Sequence, residues 1–274
     1  MPREPEILRS RANPLFKRLR ALRDRRTSGE LCLLEGPTLV AEALEAGVAL
    51  AEVAASPRAR TRRRGREVLA ALGTRGVPIR WLADDLLSSL SEAETTQGLL
   101  ALARRPSFDE AHVFAGAPLV LVAFAVQDPG NLGGLLRTAE AAGATGAYLA
   151  EGCADPFSWK ALRGAMGSAF RLPHVRGLSV TAILDRLEAR GVRVLATTAD
   201  GETRYDEADL ASPVALVLGG EGRGLPEAIV RRASTRLRIP MAPGVESLNV
   251  GVAAGLVLFE AARQRRFPGA GRRG

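Results

Sequence analysis

From Leu119 onward the chain alternates short apolar runs with helix-periodic stretches, and this pattern restricts the second half to a parallel α/β sheet. The runs Leu119–Ala125, Ala147–Ala150, Val192–Thr197 and Val214–Leu218 carry almost no polar residue, so both faces of such strands must be covered. Leu237–Ile239 reads as one more short strand. Between these runs, 132–142, 158–166, 180–190, 225–232 and 248–262 show helical spacing. The first hundred residues read differently. Residues 13–26 place Leu15, Leu19 and Leu22 on one helical face, and 31–47 read as strand, Gly-Pro turn and helix. Strand-like runs follow at 48–56, 77–82 and 99–103, which together make a small α/β domain. The stretch 104–118 has two prolines, mixed charge and no periodicity. The expected division is a domain over 1–106, a linker over 107–117, a second domain over 118–266 and a tail over 267–274.

The charge balance points to a polyanion. The 274 residues hold 38 basic and 30 acidic side chains, a net +8. Residues 1–106 carry 19 basic against 13 acidic, and the remainder 19 against 17. Only Lys17 and Lys160 are lysines, so the excess is arginine, whose planar fork suits phosphate. Arg18, Arg20, Arg23, Arg25 and Arg26 crowd the first helix, and Arg62, Arg63 and Arg64 form a run; these eight are the candidate contacts to a nucleic acid, RNA or DNA. A solvated helix face and a solvated loop remain the alternative at both places.

Other classes are excluded. Two cysteines and two histidines cannot supply a disulfide framework, a zinc cluster or Ser-His-Asp chemistry, so no metal is expected. The longest apolar runs, 117–126 and 250–259, fall short of the ~20 residues a membrane span needs. The opening MPREPEILRSR has no hydrophobic stretch, so a cytoplasmic protein without a secretory signal is expected.

Ligands of parallel α/β sheets gather beyond the C-terminal strand ends. Four segments lie there: DPGNLGGLLRTAEAAGA (128–144), TTADGE (197–202), GGEGRGL (219–225) and IPMAPGVESLNVG (239–251). None is a G-x-G-x-x-G after a strand, and no P-loop occurs.

Three of these segments carry a resemblance. Asn131-Leu-Gly-Gly-Leu-Leu-Arg137, Leu216-Val-Leu-Gly-Gly-Glu-Gly-Arg-Gly-Leu225 and Ile239-Pro-Met-Ala-Pro-Gly-Val-Glu-Ser-Leu-Asn-Val250 resemble, in order and spacing, the motifs of SpoU (TrmH-type) SPOUT methyltransferases. Glu35-Gly36-Pro37 and Thr96-Gln97-Gly98 are similar, more loosely, to that family's L30e-like substrate-binding domain. The implied fold is a small L30e-like α/β domain plus a parallel-sheet α/β SPOUT domain with a C-terminal trefoil knot. The implied activity is S-adenosylmethionine-dependent 2′-O-methylation of RNA ribose, with ribosomal RNA expected over transfer RNA. A homodimer through the knotted domain is also implied. The alternatives are a non-catalytic RNA-binding protein, a tRNA ribose methyltransferase or a base methyltransferase.

The resemblance also assigns residues. Asn131, Arg137, Glu221, Ser247 and Asn249 match the catalytic set, and Thr197, Gly219, Glu221, Ile239, Met241, Leu248 and Asn249 match the cofactor-binding set. The family's central arginine has been called a general base, but an arginine keeps its proton to above ~12. A phosphate clamp that also steadies the developing alkoxide, with a phosphate oxygen or water taking the proton, fits Arg137 better. Helix capping is the alternative role for Asn131, Ser247 and Asn249, and plain core packing for Ile239 and Leu248. Gly219→Val is expected to fill cofactor space without unfolding the protein. Gly251 stands where many relatives have serine, which removes any hydroxyl role there.

Overall fold

The structure is a computed structural model that describes residues 6–24, 29–91, 93, 95–220 and 224–266. It divides into two compact units: 1–106 with 157–170, and 107–156 with 171–274.

The first unit contains β1 (Ile7–Leu8), α1 (Pro14–Asp24), β2 (Leu31–Glu35), α2 (Pro37–Glu45), β3 (Leu50–Ala55), α3 (Arg63–Thr74), β4 (Ile79–Leu82), α4 (Asp84–Ser88) and β5 (Leu99–Arg104). The strands form one mixed sheet in the order β1-β4-β3-β5-β2. β1, β4 and β3 run parallel, while β5 is antiparallel to both β3 and β2. Phe16 and Leu19 of α1 close the core against Leu33, Leu82, Leu87, Leu100 and Leu102. Between β3 and α3, residues Pro57–Arg60 form a single 3-10 turn.

The second unit runs β6 (Leu119–Phe124), α5 (Pro129–Ala141) and β7 (Gly146–Ala150), then leaves for α6 (Trp159–Ala165) and α7 (Ser168–Arg171). It resumes with β8 (His174–Leu178), α8 (Val180–Ala189), β9 (Arg193–Thr197), β10 (Thr203–Arg204), β11 (Val214–Gly219), α9 (Glu227–Val230), β12 (Thr235–Arg238) and α10 (Val250–Gln264). The sheet order is β10-β12-β9-β11-β6-β7-β8, and every pairing is parallel. Successive strands step outward from β6 through β7 to β8, and later ones lie on its other side. The strand order reverses at β6/β11, and ligands of such sheets gather at the C-terminal strand ends near that point. Ile183, Leu184 and Leu187 of α8 pack over Val122, Tyr148, Val194 and Val217. No helix among the described residues is long and apolar enough to cross a membrane.

Two segments depart from the expected division. Residues 107–117 belong with the second unit, because the 3-10 helix Glu110–Phe114 buries Val113 completely in that unit's core. Gly146 leaves room for this contact, since a Cβ there would lie 2.8 Å from the Cα of Val113. Residues 157–170 group with the first unit instead. The Trp159 indole donates to Glu35 Oε2 at 2.9 Å, and the Arg105 guanidinium lies 5.6 Å from the Phe157 ring centroid.

Glu110 also supplies a charge to the core margin. It accepts from the Tyr148 hydroxyl and from Arg186 Nη1, the latter at 2.7 Å. Burial acts to raise its carboxyl pKa. The bonds from Tyr148 and Arg186, with the charges of Arg186 and Arg190, outweigh burial and hold it below the usual carboxylate range. Burial and the same bond push the Tyr148 phenol up. A depressed carboxyl stabilises the fold above its unfolded pKa, and that share is lost as pH falls through the folded one. Glu110→Gln is therefore expected to cost about 1–2 kcal/mol near neutral pH and to flatten the acid side of the stability curve. Urea unfolding across the acid range checks this; equal acid sensitivity in both proteins contradicts it.

Candidate active site

Three loops after parallel strands, with the N-terminus of α10, enclose a cleft of about 570 Å³ in the second unit. That volume lies within the ~300–1,000 Å³ typical of small-ligand pockets. Thr197 ends β9, Gly219 ends β11, and Ile239 and Met241 follow β12; all four line the cleft, as do Ser247 and Leu248. Ile239 is half-buried and Leu248 is 36% exposed, so neither is a core residue. Glu221 lies outside the described residues, and Asn249 stands beside the cleft without lining it.

Glycine is required where the loop leaves β11. A Cβ on Gly219 would sit 2.6 Å from the backbone carbon of Gly224, and one on Gly220 only 2.0 Å from the Ala125 carbonyl oxygen. Ala125 is itself in the left-handed region at φ 53°. This corrects the expectation for Gly219→Val, because the new side chain would collide with loop backbone before reaching any ligand.

The polar residues gather next to this cleft. Asp128 caps α5, accepting the Asn131 backbone N–H at 2.9 Å, and Pro129 opens the helix. The cap is thus Asp128, so the Asn131 side chain is not needed for that role. Its Oδ1 accepts from Asn249 Nδ2 at 3.2 Å, which joins the first motif to the third across 118 residues. Asn249 does cap α10, accepting from Gly251 N at 2.9 Å and Val252 N at 3.4 Å. Ser247 takes no part in that cap. Arg137 stands on the exposed side of α5, six residues beyond Asn131, and makes no ion pair with a described residue. The arrangement is an amide pair beside a ligand-sized cleft, with an exposed guanidinium six residues along α5 that pairs with no described carboxylate.

Sequence similarity then decides the family. Residues 118–259 match the SpoU rRNA Methylase family, and residues 13–101 match the MRM3-like substrate binding domain. The chain belongs to the SpoU rRNA methylase family. It is 35% identical to the 23S rRNA (guanosine(2553)-2′-O)-methyltransferase RlmP of Bacillus subtilis, over 89% of this chain and 93% of that one. Its fold is similar to an AdoMet-bound rRNA methyltransferase from Sinorhizobium meliloti, with a TM-score of 0.82, 32% identity, and coverage of 94% and 97% of the two chains. It is also similar to the SpoU methyltransferase AviRb from Streptomyces viridochromogenes in complex with AdoMet, with a TM-score of 0.81, 29% identity, and coverage of 93% and 99%. As a SpoU methylase, the chain is an S-adenosylmethionine-dependent RNA ribose 2′-O-methyltransferase.

The cleft suits that cofactor. Asp200, Glu227 and Glu246 on its wall complement a sulfonium and an ammonium group, while Arg236 is neutralised by Glu202 at 2.6 Å. The Thr198 hydroxyl oxygen in the same wall is buried and has no hydrogen-bond partner among the described residues. Thr198 and these carboxylates were absent from the sequence-derived set. They belong to loops whose acidic and hydroxyl residues look like ordinary turn residues until the strands are ordered. No cluster with metal-ligand composition occurs among the described residues.

The basic candidates divide. Arg18 pairs with Glu52, Arg20 and Arg23 with Asp24, Arg63 with Glu67, and Arg64 with Glu67 and Glu45. Arg25 and Arg26 lie outside the described residues. Of the expected eight, Arg62 alone among the described ones stands exposed without a carboxylate.

Proposed function

We propose that this methylase acts on ribosomal RNA, gripping it with 1–106 and carrying out the chemistry with Arg137, Asn131 and Asn249. The observation that carries the chemical part is the Asn131–Asn249 bond beside the cleft, with Arg137 exposed and unpaired on the same helix as Asn131. The names of the relatives, 23S rRNA methyltransferases among them, support the choice of RNA.

Thr197, Gly219, Ile239, Met241 and Leu248 would hold S-adenosylmethionine, with Ile239 and Leu248 as apolar walls. When bound, the cofactor supplies an electrophilic methyl on sulfur. A ribose hydroxyl is a weak nucleophile, so the protein must align it and ease its deprotonation. Arg137 clamps the neighbouring phosphate and steadies the negative charge that grows on the ribose oxygen. The Asn131–Asn249 pair fixes the start of α5 relative to α10, and so the position from which Arg137 reaches the RNA. Ser247, which lines the cleft, and the motif residue Glu221 complete the proposed set. Mapping ribose-methyl marks in ribosomal and transfer RNA from cells with and without the gene tests the substrate. A mark lost from ribosomal RNA supports the proposal, and one lost only from transfer RNA overturns it.

A homodimer and the trefoil knot belong to the same proposal. Val252, Leu256 and Phe259 are 38–53% exposed and recur along one side of α10. Such an apolar stripe is what a partner helix would cover. The knot is supported by β12 lying between β9 and β10, and by the anchoring of α10. Arg265, near its end, donates to the carbonyls of Ala117, Pro118, Leu210 and Ser212. Val252→Glu is expected to convert the dimer to a monomer in sedimentation; an unchanged dimer contradicts this face as the interface.

A further inference from the structure

Unpaired arginine in the first unit gathers at a place the charge count did not single out. Arg58 and Arg60 on the 3-10 turn after β3 and Arg62 beside it are all exposed and have no carboxylate partner among the described residues. The Arg60 guanidinium carbon lies 4.1 Å from the centroid of the Trp81 ring. Trp81 is half-buried at the C-terminal end of β4, in register with Ala55 at the end of β3.

The turn is held stiffly. A Cβ on Gly65 would fall 1.9 Å from the Ala59 carbonyl oxygen, and one on Gly98 would fall 2.7 Å from both Ala59 N and Ser56 Oγ. Arg66 Nη1 donates to the Arg60 and Thr61 carbonyls at 3.0 and 3.2 Å. Asp84 Oδ1 accepts the Arg58 backbone N–H at 3.3 Å, which ties the turn to α4. Ser56, fully buried at the start of the turn, has a hydroxyl without a partner among the described residues. An exposed guanidinium plane backed by an aromatic ring, with further exposed arginines beside it, is what single-stranded RNA recognition uses: a flat surface for a base and cations for the flanking phosphates.

We propose that the Arg60–Trp81 stack is a seat for one unpaired nucleobase of the RNA substrate, with Arg58 and Arg62 holding the adjacent phosphates. The base stacks on the outer face of the Arg60 guanidinium. This rests on the reading of the chain as an RNA methylase and adds the strand state it grips and the residues that do so.

The test titrates the full-length protein with labelled oligouridylate and, separately, with a labelled RNA duplex. Trp81→Ala is expected to weaken oligouridylate binding roughly tenfold, with little change in duplex affinity. Trp81→Phe, which keeps a ring, should restore most of the loss and so separates stacking from misfolding. Arg62→Ala should lower the salt slope by about one, and Trp81→Ala should leave it unchanged. Oligouridylate binding by Trp81→Ala at the wild-type level overturns the seat alone, as does an equal loss on both probes that phenylalanine does not rescue. Failure of the wild-type protein to bind either RNA overturns the underlying reading as well.

Discussion

Arg137→Ala is expected to lower turnover by about 10²–10³-fold while leaving affinity for S-adenosylmethionine within about twofold of wild type. The separation follows from the structure. Arg137 is exposed on α5 and lines no part of the cleft, so its removal costs the cofactor no contact. It also makes no ion pair with a described residue, so the fold has little reason to respond. Arg137→Lys sharpens the result. A lysine keeps the charge but not the two-pronged fork, so a phosphate clamp predicts a partial loss of activity with an unshifted pH profile. Single-turnover kinetics with calorimetry of cofactor binding give both quantities. A parallel collapse of rate and cofactor affinity would mean that Arg137 supports the pocket rather than the reaction.

The second large effect falls on Gly220. Gly220→Ala is expected to abolish cofactor binding and to destabilise the second unit by several kcal/mol, because its Cβ would overlap the Ala125 carbonyl oxygen at 2.0 Å. The Gly220 N–H donates to the Phe124 carbonyl at 2.7 Å, so the new methyl cannot be relieved without parting the ends of β11 and β6. Gly224→Ala is the contrast. Its φ of +59° strains an alanine, but no atom of the described residues lies within 4 Å of the new Cβ, so the expected cost is only about 1–2 kcal/mol. Thermal melting and calorimetry of the two variants check the difference. Equal effects would show that backbone strain, and not the close crossing of the two loops, is what this turn requires.

The parallel sheet was legible because four of its strands are continuous apolar runs, and those runs bury as expected. β8 was missed because Arg176 and Gly177 interrupt its five residues, as an edge strand allows. The grouping of 157–170 with the first unit depends on single long-range contacts such as Trp159–Glu35, which leave no local periodicity. The same holds for charge. Arg18 and Arg63 look as available in the sequence as Arg58 and Arg60, and only the fold shows which have a carboxylate beside them. In the candidate site, Thr197, Gly219, Ile239, Met241 and Leu248, which the motif register marked for the cofactor, all line the cleft. It did not reveal that Asp128 caps α5, and that substitution of roles is what leaves Asn131 free to meet Asn249.

The most direct measurement of the central claim uses purified protein, S-adenosylmethionine carrying a labelled methyl group, and ribosomal RNA from cells lacking the gene. The product is digested to nucleosides, and the label is located on sugar or base by mass spectrometry. The account predicts one ribose-methylated nucleoside from wild type and almost none from Arg137→Ala. Label on a base, or equal ribose labelling by both proteins, would contradict it.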